Sequence, residues 1–233
     1  MSERMRVPTD KKQLRQKRIM TYFIDAADQI IKEEGIGAVT IRKVSDLAGY
    51  NSATLYNYFD NLNHLIFLAT MNYLEEYNAS IPEYIRGCRN SLEIYLAISE
   101  CFCKYSFASP EIYELLFFTN RDNKLEEYTQ QYYALFPERE SDGKGPMNKL
   151  IHVNDIYSRS ALMLADCVAD GFMTQENAED FNDVAMMVYK SLLQDVKDKR
   201  IGRDAACAKT MRYYRQILTC YIKPEHHGLL ARG

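Results

Sequence analysis

Between Ser52 and Tyr58 the chain sets out Ser52, Ala53, Thr54, Tyr56, Asn57 and Tyr58: hydroxyls, an amide and a methyl. Such groups suit hydrogen bonds to phosphate oxygens and base edges, and apolar contact with thymine methyls. The surrounding stretch, TIRKVSDLAGYNSATLYNYF over residues 40–59, reads as a short helix, a turn containing Gly49 and a second short helix. That is the helix-turn-helix plan, in which the second helix enters the major groove while the first crosses the backbone. Val44, Leu47, Leu55 and Phe59 are the apolar residues expected to hold the two helices together.

The elements that must position these groups follow from helical spacing. Ile19, Phe23, Ala26, Ala27, Ile30 and Ile31 mark an amphipathic first helix, which Gly35 and Gly37 end. Thr40 is the expected N-cap of a second helix. Lys43 in place of Glu three residues on means that there is no capping box. Gly49 stands where a left-handed residue closes that helix. Asn51 caps a third helix containing Leu55 and Phe59, and Asp60 or Asn61 caps a fourth from Leu62 to about Asn78. Further helices are predicted at roughly 88–107, 110–119, 124–135, 149–169, 175–199 and 203–222, separated by breakers that include Pro82, Pro110, Pro137 and Gly171. No stretch alternates with period two, so the expected fold class is all-α: an N-terminal three-helix module plus a larger helical body. The polar segment 137–148 is the candidate mobile loop.

Enzymatic chemistry finds little support. The four histidines are His64, His152, His226 and His227, and there is no Gly-rich phosphate loop, G-x-S-x-G or H-E-x-x-H. The six cysteines, at 88, 101, 103, 167, 207 and 220, form no Cys-x-x-Cys pair; Cys101 and Cys103 point to different helix faces, so no metal site is expected. No cofactor is expected either. The longest apolar run, Val184 to Tyr189, is too short to span a membrane, and the first twenty residues lack a secretory core, so a cytoplasmic protein is expected.

The net charge of −3 conceals an asymmetry. Arg4, Arg6, Lys11, Lys12, Arg15, Lys17 and Arg18 crowd the first eighteen residues, against only Glu3 and Asp10. A basic arm on an otherwise acidic chain suggests an anionic partner met by one end of the molecule; a solvated tail is the plain alternative.

The detail of 40–59 resembles the TetR family of transcriptional regulators. The matching residues are Thr40, Arg42, Val44, Ala48, Gly49, Thr54, Leu55, Tyr56, Tyr58 and Phe59, preceded by the Gly35-Ile36-Gly37-Ala38 turn. The resemblance implies that residues 1–61 form a basic arm and DNA-binding domain, and that 62–233 form a helical ligand-binding and dimerisation domain. It implies phosphate contacts from Thr40, Thr54, Tyr56 and Tyr58, with Arg42 and Lys43 facing DNA, and sequence reading by Ser52, Ala53 and Asn57. One departure stands out: where the family places a Lys-Glu pair opening the fourth helix, this chain has Leu62 and Asn63. Losing that phosphate contact lowers the expected salt dependence by about one unit of slope. It also leaves a second reading open, a helical adaptor or sensor of the same fold with lost or weak DNA binding.

A module of this size makes few base contacts, so a homodimer on a near-palindromic double-stranded operator is expected. The segments 175–199 and 203–222 are apolar on more than one face, through Phe181, Val184, Ala185, Val188 and Leu192, and through Met211, Tyr214, Ile217 and Leu218. Such helices want partners on both sides, which an intermolecular four-helix bundle supplies. The middle region is rich in tyrosine, and Tyr105, Phe117, Tyr132 and Tyr157, with Asp166 as a partner for a cation, are the candidate ligand-binding residues for an unidentified small-molecule effector. Asp166 alternatively pairs with Arg159. The composite expectation is a ligand-responsive repressor.

Overall fold

The computed structural model describes residues 11–118, 125–137 and 155–230. The arm residues before Lys11, including Arg4 and Arg6, lie outside the described residues, as do the loop segment 138–148 and the predicted helical start at 149–154. The described residues are helical throughout, without strands: α1 Lys11–Glu34, a 3-10 turn Ile36–Ala38, α2 Ile41–Ala48, α3 Ser52–Leu55, α4 Leu62–Tyr84, α5 Ser91–Ala108, α6 Pro110–Phe118, α7 Leu125–Leu135, α8 Ile156–Ala169, α9 Gln175–Lys197 and α10 Arg203–Tyr221, then a 3-10 turn Pro224–Leu229. No helix among them is long and apolar enough to cross a membrane.

The chain divides into two compact units, Met1–Asn72 with Glu127–Glu140, and Tyr73–Glu126 with Ser141–Gly233. In the first, the apolar stripe of α1 buries Ile19, Met20, Phe23, Ile24, Ala27, Ile30 and Ile31 around Val44, Leu55 and Phe59. Phe23 meets Phe59 edge-on, ring centroids 5.9 Å apart. In the second, α5 packs against α8, α9 and α10. Leu92, Tyr95, Leu164, Phe181, Ala185, Met211, Tyr214 and Leu218 form its core.

Two expectations change. Pro82 does not break α4, which runs on to Tyr84. A proline there forgoes one ladder bond; Ile85 N–H resumes the pattern on the Ile81 carbonyl at 3.1 Å, and Ile81 is fully buried. The left-handed Gly87 at φ +88° follows the helix. Leu47 is the other change, because it is 48% exposed rather than packed between helices. At 100° per residue, Ile41, Val44, Ser45 and Ala48 share one face of α2, and Leu47 lies about 110° from its centre.

Candidate nucleic-acid interface and ligand cavity

The polar face is built by two caps and a turn. The Thr40 side chain accepts from the Lys43 N–H and starts α2. Gly49, at φ 76° and ψ 26°, ends it in the left-handed conformation, and the Tyr50 N–H reaches back to the Ser45 carbonyl at 3.0 Å. The Tyr50 ring then lies against Phe23, centroids 5.5 Å apart, which fixes the turn to α1. Sequence reasoning passed over Tyr50; its position between the glycine and the cap was the available signal.

Asn51 starts α3. Its Oδ1 accepts from the Thr54 N–H at 2.8 Å and from the Thr54 hydroxyl at 2.9 Å. The α-helix proper is one turn long, shorter than the expected helix through Phe59. Tightened bonds carry the chain on, Asn57 N–H to the Thr54 carbonyl and Tyr58 N–H to the Leu55 carbonyl. Leu55 and Phe59 are buried, which turns the remaining side chains outward. Ser52, Ala53, Tyr56 and Asn57 are exposed, Tyr56 by 56%, while Thr54 and Tyr58 are half-buried.

Arg42 and Lys43 stand at the exposed start of α2. Arg42 Nε lies 3.8 Å from Asp46, and Lys43 Nζ lies 2.6 Å from Glu34. Exposed pairs of this kind contribute at most about 1 kcal/mol, so either cation can turn to a phosphate at small cost. Thr54 differs: its hydroxyl proton already goes to Asn51, so donating to a phosphate requires that bond to break. Leu62 and Asn63 open α4, whose first turn is capped by Asn61 accepting from the His64 N–H at 3.0 Å.

Residues 23–67 match the family model of bacterial regulatory proteins, tetR family. Over that segment the chain is similar to the TetR family. It is 30% identical over 87 residues to the HTH-type transcriptional regulator HbdR of Aromatoleum sp. (strain CIB). That match spans 37% of this chain and 37% of the relative, so the chain matches well under half the length of that regulator. Among solved structures, RolR in complex with resorcinol superposes with a TM-score of 0.60 at 12% identity, covering 95% of this chain and 97% of RolR. A TetR transcription regulator from Haloarcula marismortui ATCC 43049 superposes with a TM-score of 0.55 at 12% identity, over 88% and 99% of the two chains. At these identities the likeness shows the TetR fold.

The expected ligand residues scatter. Tyr132 belongs to the first compact unit, where it is buried and donates to Asn72 Oδ1 at 3.1 Å. Tyr105 hydrogen-bonds Ser80. Tyr157 accepts from Lys190 Nζ at 2.9 Å. Phe117 is buried in an aromatic cluster, 5.4 Å from Phe102 between centroids. Asp166 is exposed, so it is not placed to hold a cation in the interior. It sits seven residues along α8 from Arg159, about 10 Å further on at 1.5 Å per residue. The Arg159 guanidinium turns instead to Asn78.

The second unit holds a different site. A cavity of about 30 Å³ is lined by Tyr77, Tyr95, Phe102, Arg159, Tyr189 and Tyr214, with Met163, Met186 and smaller residues completing the wall. Burial pushes the Tyr77 phenol up to about 12, with Arg159 opposing the rise. Burial likewise raises Tyr95, Tyr189 and Tyr214, so these phenols are neutral at physiological pH. The cysteines are free, and no cluster of metal-ligating side chains occurs among the described residues.

Proposed function

We propose that this protein is a ligand-responsive, DNA-binding transcriptional regulator. It acts in the cytoplasm as a repressor that binds a near-palindromic operator as a dimer and is released by a small molecule. The observation that carries the reading is the outward polar face of α3 and its following turn, set on a buried Leu55 and Phe59 within the matched segment. In this reading residues 1–61 hold the DNA, and 62–233 bind the effector and dimerise. Tyr56, Tyr58, Thr40 and Thr54 contact phosphates, Arg42 and Lys43 face the backbone or a guanine edge, and Ser52, Ala53 and Asn57 read bases.

Two copies pair through α9 and α10. Within one chain these helices bury Phe181, Ala185, Tyr189, Met211, Tyr214 and Leu218, yet Met187 remains 66% exposed, with Val184, Val188, Ile217 and Tyr221 only part-buried. That remaining apolar face is the natural seat of a second copy. Release by a ligand follows from linkage. An effector that favours a spacing of the reading heads unsuited to the duplex weakens DNA binding by the same coupling energy, of order 1–3 kcal/mol. The neighbouring RolR structure holds resorcinol, a small aromatic molecule, which supports an effector pocket in the same fold.

The test is fluorescence anisotropy with a labelled duplex from the region upstream of the protein's own gene, at two salt concentrations. Wild-type protein is expected to bind with a steep salt dependence, and the double variant Tyr56→Phe/Tyr58→Phe to lose about tenfold or more in affinity. Unchanged binding by the double variant overturns the assignment of these phenols. Absence of duplex binding at low salt favours the adaptor reading, for which Leu62 in place of a phosphate-binding lysine is the specific argument.

A further inference from the structure

Two thiols meet where α5 packs against α10 in the second compact unit. The Cys207 Sγ points at the Glu100 carbonyl oxygen from 4.0 Å. In a helix the side chain of residue i+3 lies over the carbonyl of residue i, and on α5 itself the Ser106 hydroxyl donates to the Cys103 carbonyl at 3.4 Å. Cys103 stands in the same relation to Glu100, so the two sulfurs converge on one carbonyl. The Cys103 S–H donates to the Cys207 sulfur, and Thr210, the next turn of α10, also faces Cys103. Side chains this short let two helix axes approach closely. A disulfide needs that approach, with Cα atoms about 4.4–6.8 Å apart.

The surroundings divide the pair into two roles. Cys103 is 1% exposed and sealed in the helix contact. Cys207 instead borders a groove of about 490 Å³, whose charged walls are Lys104, Arg212 and Arg215 against Glu100 and Asp204. The hydrogen bond from Cys103 lowers the Cys207 thiol from its usual range, against the effect of burial, and the Lys104 charge assists. Burial pushes Cys88, Cys101 and Cys167 the other way. A lowered thiol at an accessible, electropositive edge is the reactive kind. The groove also lies clear of the subunit contact read above. Ala208, Arg212 and Arg215 stand about 140–180° around α10 from Ile217 at 100° per residue.

We propose that Cys207 is a site of oxidation by small hydroperoxides and that Cys103 is its resolving thiol, closing a disulfide between α5 and α10. This goes beyond the DNA-binding reading and does not depend on it. The Cys207 thiolate sulfur attacks a peroxide oxygen and the O–O bond breaks. The departing hydroxide takes up a proton and leaves as water. The sulfur, oxidised by two electrons, becomes a sulfenic acid. The Cys103 sulfur then attacks the Cys207 sulfur; the S–S bond forms, the S–O bond breaks, and the Cys103 proton leaves with that oxygen as a second water. Two thiols and one hydrogen peroxide thus give one disulfide and two waters. Size selects the oxidant. Cys207 is only 6% exposed, so a hydroperoxide reaches it where a bulky electrophile does not.

The test treats the full-length reduced protein with hydrogen peroxide at neutral pH, blocks the remaining thiols with N-ethylmaleimide, and maps an unreduced digest by tandem mass spectrometry. One intramolecular Cys103–Cys207 bond is expected, with fragment ions separating Cys103 from Cys101, and dithiothreitol should reverse it. The free-thiol count should fall by two from the six cysteines of the chain. Cys207 should be consumed severalfold faster than the exposed Cys220. Cys103→Ser should halt Cys207 at the sulfenic acid, captured by dimedone, and Cys207→Ser should leave Cys103 reduced. If either variant does not fold, the wild-type map and the relative rates of Cys207 and Cys220 decide alone. Cys207 still reduced when Cys220 is oxidised overturns the proposal. So does a bond joining any other pair in place of Cys103 and Cys207, or oxidation of Cys103 at an unchanged rate in Cys207→Ser.

Discussion

The His64 imidazole lies flat on the Tyr128 ring, with centroids 4.0 Å apart and planes 7° apart. His64 is buried at the start of α4, and Tyr128 is on α7. The imidazole Nδ1 accepts the Asp60 N–H at 3.1 Å, so the ring proton sits on Nε2 and goes to Gln131 Oε1 at 2.6 Å. Tyr128 in turn donates to the Asp60 carboxylate at 3.3 Å. The chain leaving Tyr58 and Phe59 is thus clamped by a helix whose Gln131 lies 67 positions beyond His64.

Replacing His64 with Ala strands the Asp60 N–H and the Gln131 amide and removes the stack. The expected loss is about 2–3 kcal/mol, read from the urea midpoint. Tyr128→Phe keeps the stack and loses one exposed hydrogen bond, so it should cost under about 1 kcal/mol. A double-mutant cycle of His64→Ala with Tyr128→Ala should show a coupling of about 1 kcal/mol, and additive effects would mean that the stack does not bind the two helices energetically.

Asn51 separates stability from recognition. Asn51→Ala removes the cap of a helix only four residues long and should cost about 1 kcal/mol. Asn51→Asp keeps an acceptor for the Thr54 N–H and places a negative charge beside the polar face. Thermal stability should then stay within about 0.5 kcal/mol of wild type, while duplex affinity falls and the loss shrinks with added salt. Equal DNA binding by wild type and Asn51→Asp would place the duplex elsewhere.

Gly49→Ala meets no neighbouring atom within 4 Å of the added Cβ, so its cost is backbone strain alone. At φ +76° that strain is about 1 kcal/mol, and Gly49→Asn should cost less. Differential scanning calorimetry should rank the melting temperatures Gly, Asn, Ala. A stabilising Gly49→Ala would show that the turn adopts another conformation.

The reading head was legible because its signals are local. Thr40, Gly49 and Asn51 each act on a backbone group within five positions, so spacing alone located both caps and the turn. Leu47 misled because an eight-residue helix offers too little sequence to fix which flank of the apolar face is covered. The ligand residues were less legible for a different reason. Tyr105, Tyr132 and Tyr157 are chemically indistinguishable in sequence from Tyr77, Tyr95 and Tyr189, and only tertiary packing decides which of them lines a cavity. In sequence Arg159 suggests only a partner for Asp166, since a lone arginine on an apolar helix carries no local mark of burial.

High pH should destabilise the second unit. Burial pushes Cys167 up to about 11, and pushes Cys101 and Tyr77 up to about 12, from ordinary values of 9.0, 9.0 and 10.0. Each neutral form is favoured by the fold, so unfolding releases protons wherever these groups ionise in the open chain. Their contribution is complete below about pH 9 and is lost as pH rises through 9 to 12. The urea midpoint should be flat from about pH 7 to 8.5 and fall steadily above 9. Tyr77→Phe should remove part of the fall in the urea midpoint between about pH 10 and 12; an unchanged profile would show that Tyr77 is open to solvent.

Met187 offers the sharpest test of the subunit contact. It is 66% exposed on α9, whose opposite face buries Phe181, Ala185, Met186 and Tyr189 within the chain. A glutamate at this position meets water in a lone chain, so Met187→Glu should leave the stability of a monomer within about 0.5 kcal/mol of its parent. At a two-fold interface the same residue would bury two like charges together, and truncating or charging a central apolar contact costs several kcal/mol. Sedimentation at micromolar concentration should therefore find wild type as a dimer and Met187→Glu as a folded monomer. Duplex affinity should fall with it, because one reading head makes too few contacts to hold an operator alone. A variant that still sediments as a dimer would show that the copies meet through some other face, and the unburied stripe of α9 would then need a different occupant.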